Sequence, residues 1–168
     1  MGNMRAALLA FALLLLLPAA APAKTLDLPA LFDDVLPKVK DRTEVPVLLP
    51  QRYRSDSETN VPSGEGRKRG YTLSVAAVRG CGGATACFVA GFGAQRGEDP
   101  HYTRKLRLVG GRTGYFKPLT CGASCSPPAI EWVEDGVLYW IRAHAGTKKQ
   151  EKKRLRQMAN SAIRHGAR

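Results

Sequence analysis

The sequence lacks the short motifs that mark common catalytic sites. Its three histidines, His101, His144 and His165, are scattered, and no H-E-x-x-H pair of metal ligands occurs. There is no Gly-x-Ser-x-Gly elbow and no Walker loop, because the glycines near Cys81 surround a cysteine loop and do not open a helix. A triad built from distant residues leaves no local pattern, so a hydrolase with an unrecognised site stays open. We expect a non-catalytic protein with no metal and no cofactor.

Acidic residues are also few. The chain has 14 aspartates and glutamates against 26 lysines and arginines, a formal net charge of +12. Such an excess favours anionic partners such as phospholipid headgroups, wall polymers or nucleic acid, and salt should weaken that binding. An alternative is that the basic residues only keep an exported protein in solution. Nucleic acid is a poor candidate, because the protein is predicted to be exported and carries no nucleic-acid-binding motif.

No apolar run is long enough to span a bilayer. The longest covers residues 6–17, about a dozen residues where a spanning helix needs roughly 20. Arg5 precedes this run, and Ala21-Pro22-Ala23 fits a cleavage site before Lys24. We expect residues 1–23 to be a cleavable signal, so the mature protein would be secreted, periplasmic or on the cell surface. An uncleaved membrane anchor is the alternative.

Only four cysteines occur, in two close pairs, Cys81 with Cys87 and Cys121 with Cys125. In an oxidising compartment they would form two disulfides, for which three pairings are possible. The spacing alone does not choose among them, but each pair brackets a turn between strand-like runs, so we expect local pairs. A zinc site is disfavoured because C-x5-C is longer than the usual ligand spacing. A redox dithiol would normally be C-x-x-C.

Strand and turn signals dominate from residue 71 onward. Apolar-rich runs at 71–78 and 88–92 flank the first cysteine loop, and two further runs flank Gly110-Gly111. The clearest hairpin joins residues 130–134 to residues 137–144 through Asp135-Gly136.

A two-residue turn at Asp135-Gly136 sets the register of that hairpin. It places Trp132 opposite Tyr139 and Ile130 opposite Ile141 on one face. The other face then carries the apolar side chains Val133, Leu138 and Trp140. Either a second layer covers this face, or these three residues form an exposed apolar patch for a ligand or partner.

The N-terminal part contains a short helical pattern followed by two irregular stretches. Asp27 can cap a helix whose apolar residues repeat up to Leu36, and Pro37 would end it. We therefore assign residues 24–44 to a short helix and linker, and residues 45–168 to one disulfide-pinned domain. Residues 54–70 are rich in Ser, Asn, Pro and Gly, which predicts a long mobile loop carrying the basic run Arg67-Lys68-Arg69.

The chain closes with a pattern typical of an amphipathic helix. Thr147 and Gln150 fit a capping box, the residues from Leu155 to Ile163 repeat at helical spacing, and Gly166 is a stop signal. The apolar stripe should lie on the sheet. The outward face carries six cations, and all of them except Arg154 are expected to bind an anionic surface: Lys148, Lys149, Lys152, Lys153, Arg154 and Arg156. Glu151 is the only acid expected on that face.

Four segments together resemble a known bacterial domain. They are Val-Leu-Leu-Pro at 47–50, Gly-Gly-Arg-Thr-Gly-Tyr-Phe at 110–116, the hairpin at 130–141, and Leu-Arg-Gln-Met-Ala-Asn-Ser-Ala-Ile at 155–163. Their order is similar to an uncharacterised bacterial extracytoplasmic domain, also found C-terminal to membrane spans in anti-sigma-factor-like proteins. The resemblance covers about residues 45–165. It implies an antiparallel sheet with a C-terminal helix, and it transfers no catalytic residue.

These observations predict an α+β protein, an antiparallel meander of about six or seven strands with the C-terminal helix on one face. The leading functional hypothesis is an exported, non-catalytic protein that contacts an anionic envelope component through the helix and the loop at 67–69. The alternative is an extracytoplasmic protein-interaction or sensory domain that uses the apolar patch near Trp140.

Overall fold

The computed structural model describes residues 23–82, 84–144 and 146–168, so the predicted signal, apart from Ala23, lies outside the described residues. The helices are α1 (Leu28–Leu31), α2 (Leu36–Lys40) and α3 (Lys148–His165). The strands are β1 (Lys24–Asp27), β2 (Arg52–Ser55), β3 (Val61–Arg67), β4 (Gly70–Ala76), β5 (Phe88–Arg96), β6 (Arg104–Arg107), β7 (Thr113–Lys117), β8 (Thr120–Cys121), β9 (Cys125–Ser126), β10 (Ala129–Glu134) and β11 (Val137–Ala143). In this part of the chain no helix is both long and apolar enough to cross a membrane.

Seven strands form one antiparallel sheet in the order β3-β4-β5-β11-β10-β7-β6. The sheet consists of two meanders, β3-β4-β5 and β6-β7-β10-β11, which meet where β5 pairs with β11. Helix α3 packs against β10 and β11. The predicted class, an α+β fold with a C-terminal helix on an antiparallel sheet, is therefore confirmed. Residues 97–103 cross from the end of β5 to the far edge, where β6 begins, and we call this segment the crossover.

The β10–β11 hairpin has the predicted register. Trp132 pairs with Tyr139 and Ile130 with Ile141, and all four side chains lie in the core. The rings of Trp132 and Tyr139 stack with centroids 5.5 Å apart. Asp135 and Gly136 have φ angles of 51° and 71°, the left-handed geometry that a two-residue hairpin turn requires. We call the face that carries Trp132 the core face, and the opposite one the outer face.

The N-terminal segment belongs to this core. Strand β1 pairs with β2, and Leu28, Phe32 and Val39 are buried. The Asp27 carboxylate accepts a hydrogen bond from Ala30 N, as a cap should. The single predicted helix is two short ones. Pro37 lies in the first turn of α2, where its missing N–H costs nothing, and does not end a longer helix. The domain thus begins before residue 45.

The prediction of a mobile loop at residues 54–70 is wrong, because β2 and β3 occupy most of this segment. Gly64 and Gly66 explain why β3 forms despite its composition. A Cβ at Gly64 would lie 2.7 Å from side-chain atoms of Val35 and Leu73, and one at Gly66 would collide with the Val39 carbonyl. The glycines let the segment around α2 lie directly on the strand.

Both disulfides are local, as predicted. Cys81–Cys87 closes the β4–β5 connection, and Cys121–Cys125 closes the β8–β9 hairpin between β7 and β10. These two connections lie at the same end of the sheet, the end at which β11 also finishes and α3 begins. The two bridges therefore pin the loops around the start of the basic helix.

Candidate anion-binding surface on the C-terminal helix

Helix α3 is fixed to the domain along its apolar side. Leu155, Met158, Ala159 and Ala162 are buried, as the helical spacing predicted. The amide oxygen of Asn160 accepts a hydrogen bond from Val109 N at 2.8 Å. This polar contact adds to the predicted apolar stripe in holding the helix. Thr147 stands at the N-cap, but its hydroxyl makes no capping hydrogen bond, so the predicted capping box is absent. Gly166 ends the helix with a φ of 66°.

The five predicted cations form the exposed basic face of α3. Lys148, Lys149, Lys152, Lys153 and Arg156 are all exposed. None of them takes part in a salt bridge within the described ranges 23–82, 84–144 and 146–168. Because like charges on one helix repel each other unless they are neutralised, this face is a surface on which an anion would be stabilised.

The only acid of the helix, Glu151, does not lie on the basic face. Glu151 is only 4% exposed, and its Oε2 accepts a hydrogen bond from Leu119 N at 3.3 Å. The expectation that Glu151 points outward is therefore wrong. A buried carboxylate needs a partner, and the Leu119 amide in the disulfide-closed connection supplies one. The consequence is a surface of one charge sign.

The second predicted basic cluster, Arg67-Lys68-Arg69, is the β3–β4 turn, and each of its residues has a local partner. Arg67 pairs with Glu65 at 3.1 Å, and this hydrogen bond and charge hold the pKa of the Glu65 carboxyl below its ordinary value. Lys68 lies 3.7 Å from Glu44. The Arg69 guanidinium donates to the Arg96 carbonyl at 3.1 Å.

The two basic clusters lie at opposite ends of the sheet. The turn leads into Gly70, which pairs with Gln95, whereas α3 follows Ala143, which pairs with Ala90. Five residues along β5 correspond to about 17 Å. An anionic envelope component that contacts both clusters, as predicted, would therefore have to span about this distance.

The predicted apolar patch is not one continuous exposed surface. Val133 is 38% exposed, but Leu138 is only 2% exposed and Trp140 is half-buried. The Trp140 indole lies on the backbone of Gly91 and Gly93: a Cβ built on Gly93 would come within 2.5 Å of Cε2. The Arg142 guanidinium lies 4.9 Å from the centroid of the indole.

The crossover is held on the outer face by a buried carboxylate. Glu131 is 1% exposed, and its Oε2 accepts a hydrogen bond from His101 N at 2.8 Å while Oε1 lies 3.2 Å from Nδ1 of the same residue. In many hydrolases a carboxylate orients an imidazole, and the imidazole activates a hydroxyl or thiol nucleophile. Glu131 and His101 resemble the first two of these three groups. In the described part of the chain, no hydroxyl or thiol is hydrogen-bonded to His101, and no group of three or more His, Cys, Asp or Glu could hold a metal.

A groove beside α3 carries two arginines, Arg52 and Arg54, that the sequence did not point to. Both line it together with Arg154, a residue of the predicted outward face of the helix. Arg154 lies about a hundred residues from Arg52 and Arg54 in the chain, so the three form no local pattern. The only sequence signal is the alternation in β2, where Tyr53 and Ser55 are buried and Arg52 and Arg54 are exposed.

The chain matches no protein-family model, no curated protein and no solved structure. The resemblance to a bacterial extracytoplasmic domain therefore stays a prediction, and the function is argued from the geometry of the surface itself.

Proposed function

We propose that this is an exported, non-catalytic protein that contacts an anionic component of the cell envelope, a phospholipid or a wall polymer, through the basic face of α3. One observation carries the proposal: the five cations of that face are exposed while Glu151, the one acid of the helix, is buried against Leu119 N. Each Lys or Arg near an anionic membrane contributes about 1 kcal/mol, so five together suffice for measurable, salt-sensitive association.

The export part of the proposal is supported by the predicted signal at residues 1–23 and by the two disulfides, which persist in oxidising compartments. N-terminal sequencing of the protein recovered from its host should find Lys24 first. Titration of the unfolded, unreduced protein with a thiol reagent should find no reactive thiol. Met1 at the N-terminus would contradict cleavage, and four reactive thiols would contradict the oxidising compartment.

The binding part is tested by sedimentation with vesicles of phosphatidylglycerol and phosphatidylcholine, and with wall fragments. We expect association at low salt, little at high salt, and none with vesicles of phosphatidylcholine alone. Removing Lys149, Lys152 and Lys153 by substitution with Gln should weaken binding roughly 100-fold, from about 1 kcal/mol per charge.

A matched control removes three charges at the other end of the sheet. The triple variant Arg67→Gln, Lys68→Gln, Arg69→Gln has the same net charge as the helix variant but should keep most of the affinity. Equal losses in the two variants would show that net charge alone binds the surface, and would reject a specific role of α3. Binding that survives high salt but is lost in Trp140→Ala would favour the protein-interaction alternative.

A further inference from the structure

The groove between β2 and α3 has a volume of about 400 Å³, within the range of small-molecule sites. Strand β2 forms one wall with Arg52 and Arg54, and the helix forms the other with Arg154. Between the two walls the lining is mainly apolar, and it includes the small exposed parts of Tyr53 and Met158, which are otherwise buried. The site is therefore a cleft with an apolar floor and cationic walls.

Hydrogen bonds hold the two walls in place. Gln51 N donates to the Ser161 hydroxyl at 3.0 Å, which ties the start of β2 to the helix. The Tyr53 hydroxyl lies 2.9 Å from the His144 carbonyl and 3.2 Å from the Val89 carbonyl, so the floor is anchored to the sheet. A cleft with fixed walls loses little conformational entropy when a ligand enters.

The three arginines have no acidic partner. Within residues 23–82, 84–144 and 146–168, none of them forms a salt bridge or a side-chain hydrogen bond, and no acidic side chain lines the groove. Arg154 is half-buried and lies against Gly146, where a Cβ would come within 2.5 Å of Nη1. The glycine, with a φ of 79°, thus leaves room for the guanidinium.

This combination selects for a particular ligand chemistry. Guanidinium groups bind phosphate through paired hydrogen bonds, and three of them match the several oxygens of a phosphate better than a single carboxylate. A fully hydrated inorganic anion would leave the apolar floor in contact with water. An apolar group attached to the phosphate would cover the apolar lining of the groove, including the exposed parts of Tyr53 and Met158.

We infer that the groove formed by Arg52, Arg54 and Arg154 binds the phosphate of an amphiphilic phosphate ester, the headgroup of an anionic phospholipid, with the first part of the acyl chain on Tyr53 and Met158. This deepens the proposed function, because it names the lipid phosphate as the anionic component, but it uses different residues. The basic face of α3 attracts a charged surface, whereas the groove takes up one headgroup.

The test uses dihexanoyl phosphatidic acid below its micelle concentration, measured by calorimetry on the full mature chain with both disulfides intact. We expect one molecule bound per chain. The double variant Arg52→Gln, Arg54→Gln should weaken binding by about tenfold to 100-fold, since hydrogen bonds to charged groups contribute about 1.5 to 3 kcal/mol. Both residues are exposed, so the fold should survive, and circular dichroism checks it.

Two controls make the result specific. Arg67→Gln, Arg69→Gln removes the same charge outside the groove and should leave the affinity unchanged. Inorganic phosphate and glycerol 3-phosphate, which lack the acyl chains, should bind at least about tenfold more weakly than the lipid, because they leave the apolar floor exposed. Unchanged lipid affinity in the groove variant, or equal affinity for inorganic phosphate and lipid, would overturn the inference.

The same reagents separate this inference from the proposed function. The helix variant lacking Lys149, Lys152 and Lys153 should lose vesicle binding but retain the monomeric lipid. If vesicles bind normally and the monomeric lipid does not bind, the groove is rejected and the basic face stands. If the monomeric lipid binds in the groove and the helix substitutions leave vesicle binding unchanged, the basic face is rejected and the groove stands.

Discussion

The two faces of the β10–β11 hairpin carry one tryptophan each, and the two side chains are held in different ways. Trp132 is 1% exposed, stacks on Tyr139 and lies in the core. Trp140 is half-buried on the backbone of two glycines, with the Arg142 guanidinium near its ring. The core face of the hairpin is therefore packed against other side chains, whereas Trp140 on the outer face is only partly shielded from water. Most of the free energy of folding should come from the core face.

The largest expected effect compares the two tryptophans directly. Trp132→Ala should lower the free energy of unfolding by about 3 to 5 kcal/mol, because it leaves a large cavity in the core. Trp140→Ala should cost only about 1 to 2 kcal/mol, since the side chain is only partly removed from water. Urea unfolding of both variants measures the difference. Equal losses would mean that the outer face is as well packed as the core face.

The carboxylate under the crossover is expected to matter next. Glu131→Leu removes the acceptor of His101 N and should cost about 1.5 to 3 kcal/mol. It should also speed amide exchange at His101, because the crossover loses its attachment. Glu65→Gln, which breaks a fully exposed ion pair, should leave the free energy of unfolding nearly unchanged. Slow exchange at His101 in the Glu131 variant would show that other contacts hold the crossover.

The two glycines under Trp140 provide a matched pair. Gly93→Ala should destabilise the protein by about 1 to 3 kcal/mol, because the new Cβ would lie 2.5 Å from Cε2 of the indole and 2.7 Å from the Tyr71 carbonyl oxygen. Gly91→Ala should change stability by less than about 1 kcal/mol, since its nearest contact is 3.2 Å and alanine favours ordered backbone. Thermal unfolding compares them. Equal effects would indicate that Trp140 moves away easily.

The smallest effect concerns Tyr139 on the core face, whose hydroxyl donates to the Pro46 carbonyl at 3.2 Å. Burial raises the pKa of Tyr139 to about 12 from an ordinary 10.0. The folded state therefore favours the neutral phenol, and this contribution to stability is complete below pH 10 and is lost as the pH rises towards 12. At neutral pH, Tyr139→Phe should cost about 1 kcal/mol for the lost hydrogen bond.

Between pH 10 and pH 12, the stability of the Tyr139→Phe variant should fall less steeply than that of the parent, by up to about 1.4 kcal/mol per pH unit. Denaturant unfolding at pH 9, 10 and 11 measures the slopes. A decline should remain in the variant, because burial also raises the pKa of Tyr53 and of Tyr71. Identical slopes would show that Tyr139 reaches water in the folded state.

The sequence predicted those features that depend on neighbouring residues. The Asp135-Gly136 turn determines the hairpin register, and the spacing of the apolar residues in α3 determines which side is buried. The short cysteine loops likewise predicted local disulfides. In each case the relevant atoms lie within a few residues, so turn geometry and helical periodicity are sufficient.

What the sequence did not show depends on contacts between distant residues. Strand β3 contains Pro, Ser and Gly, which usually predict a loop, and it forms because Gly64 and Gly66 allow α2 to approach. Glu151 turns inward, where its carboxylate accepts a hydrogen bond from Leu119 N in the connection after β7. The arginines of the groove line one cleft because β2 lies beside α3, which no local pattern encodes.

The junction of β5 with β11 has a consequence for the order of folding. It joins two meanders whose own strand pairs are close in sequence, yet it pairs residues roughly 40 to 50 positions apart. Closing that chain segment is the entropically expensive step, so we expect the transition state for folding to contain it. Substitutions at the junction should then slow refolding, whereas substitutions in β3 at the edge should mainly accelerate unfolding.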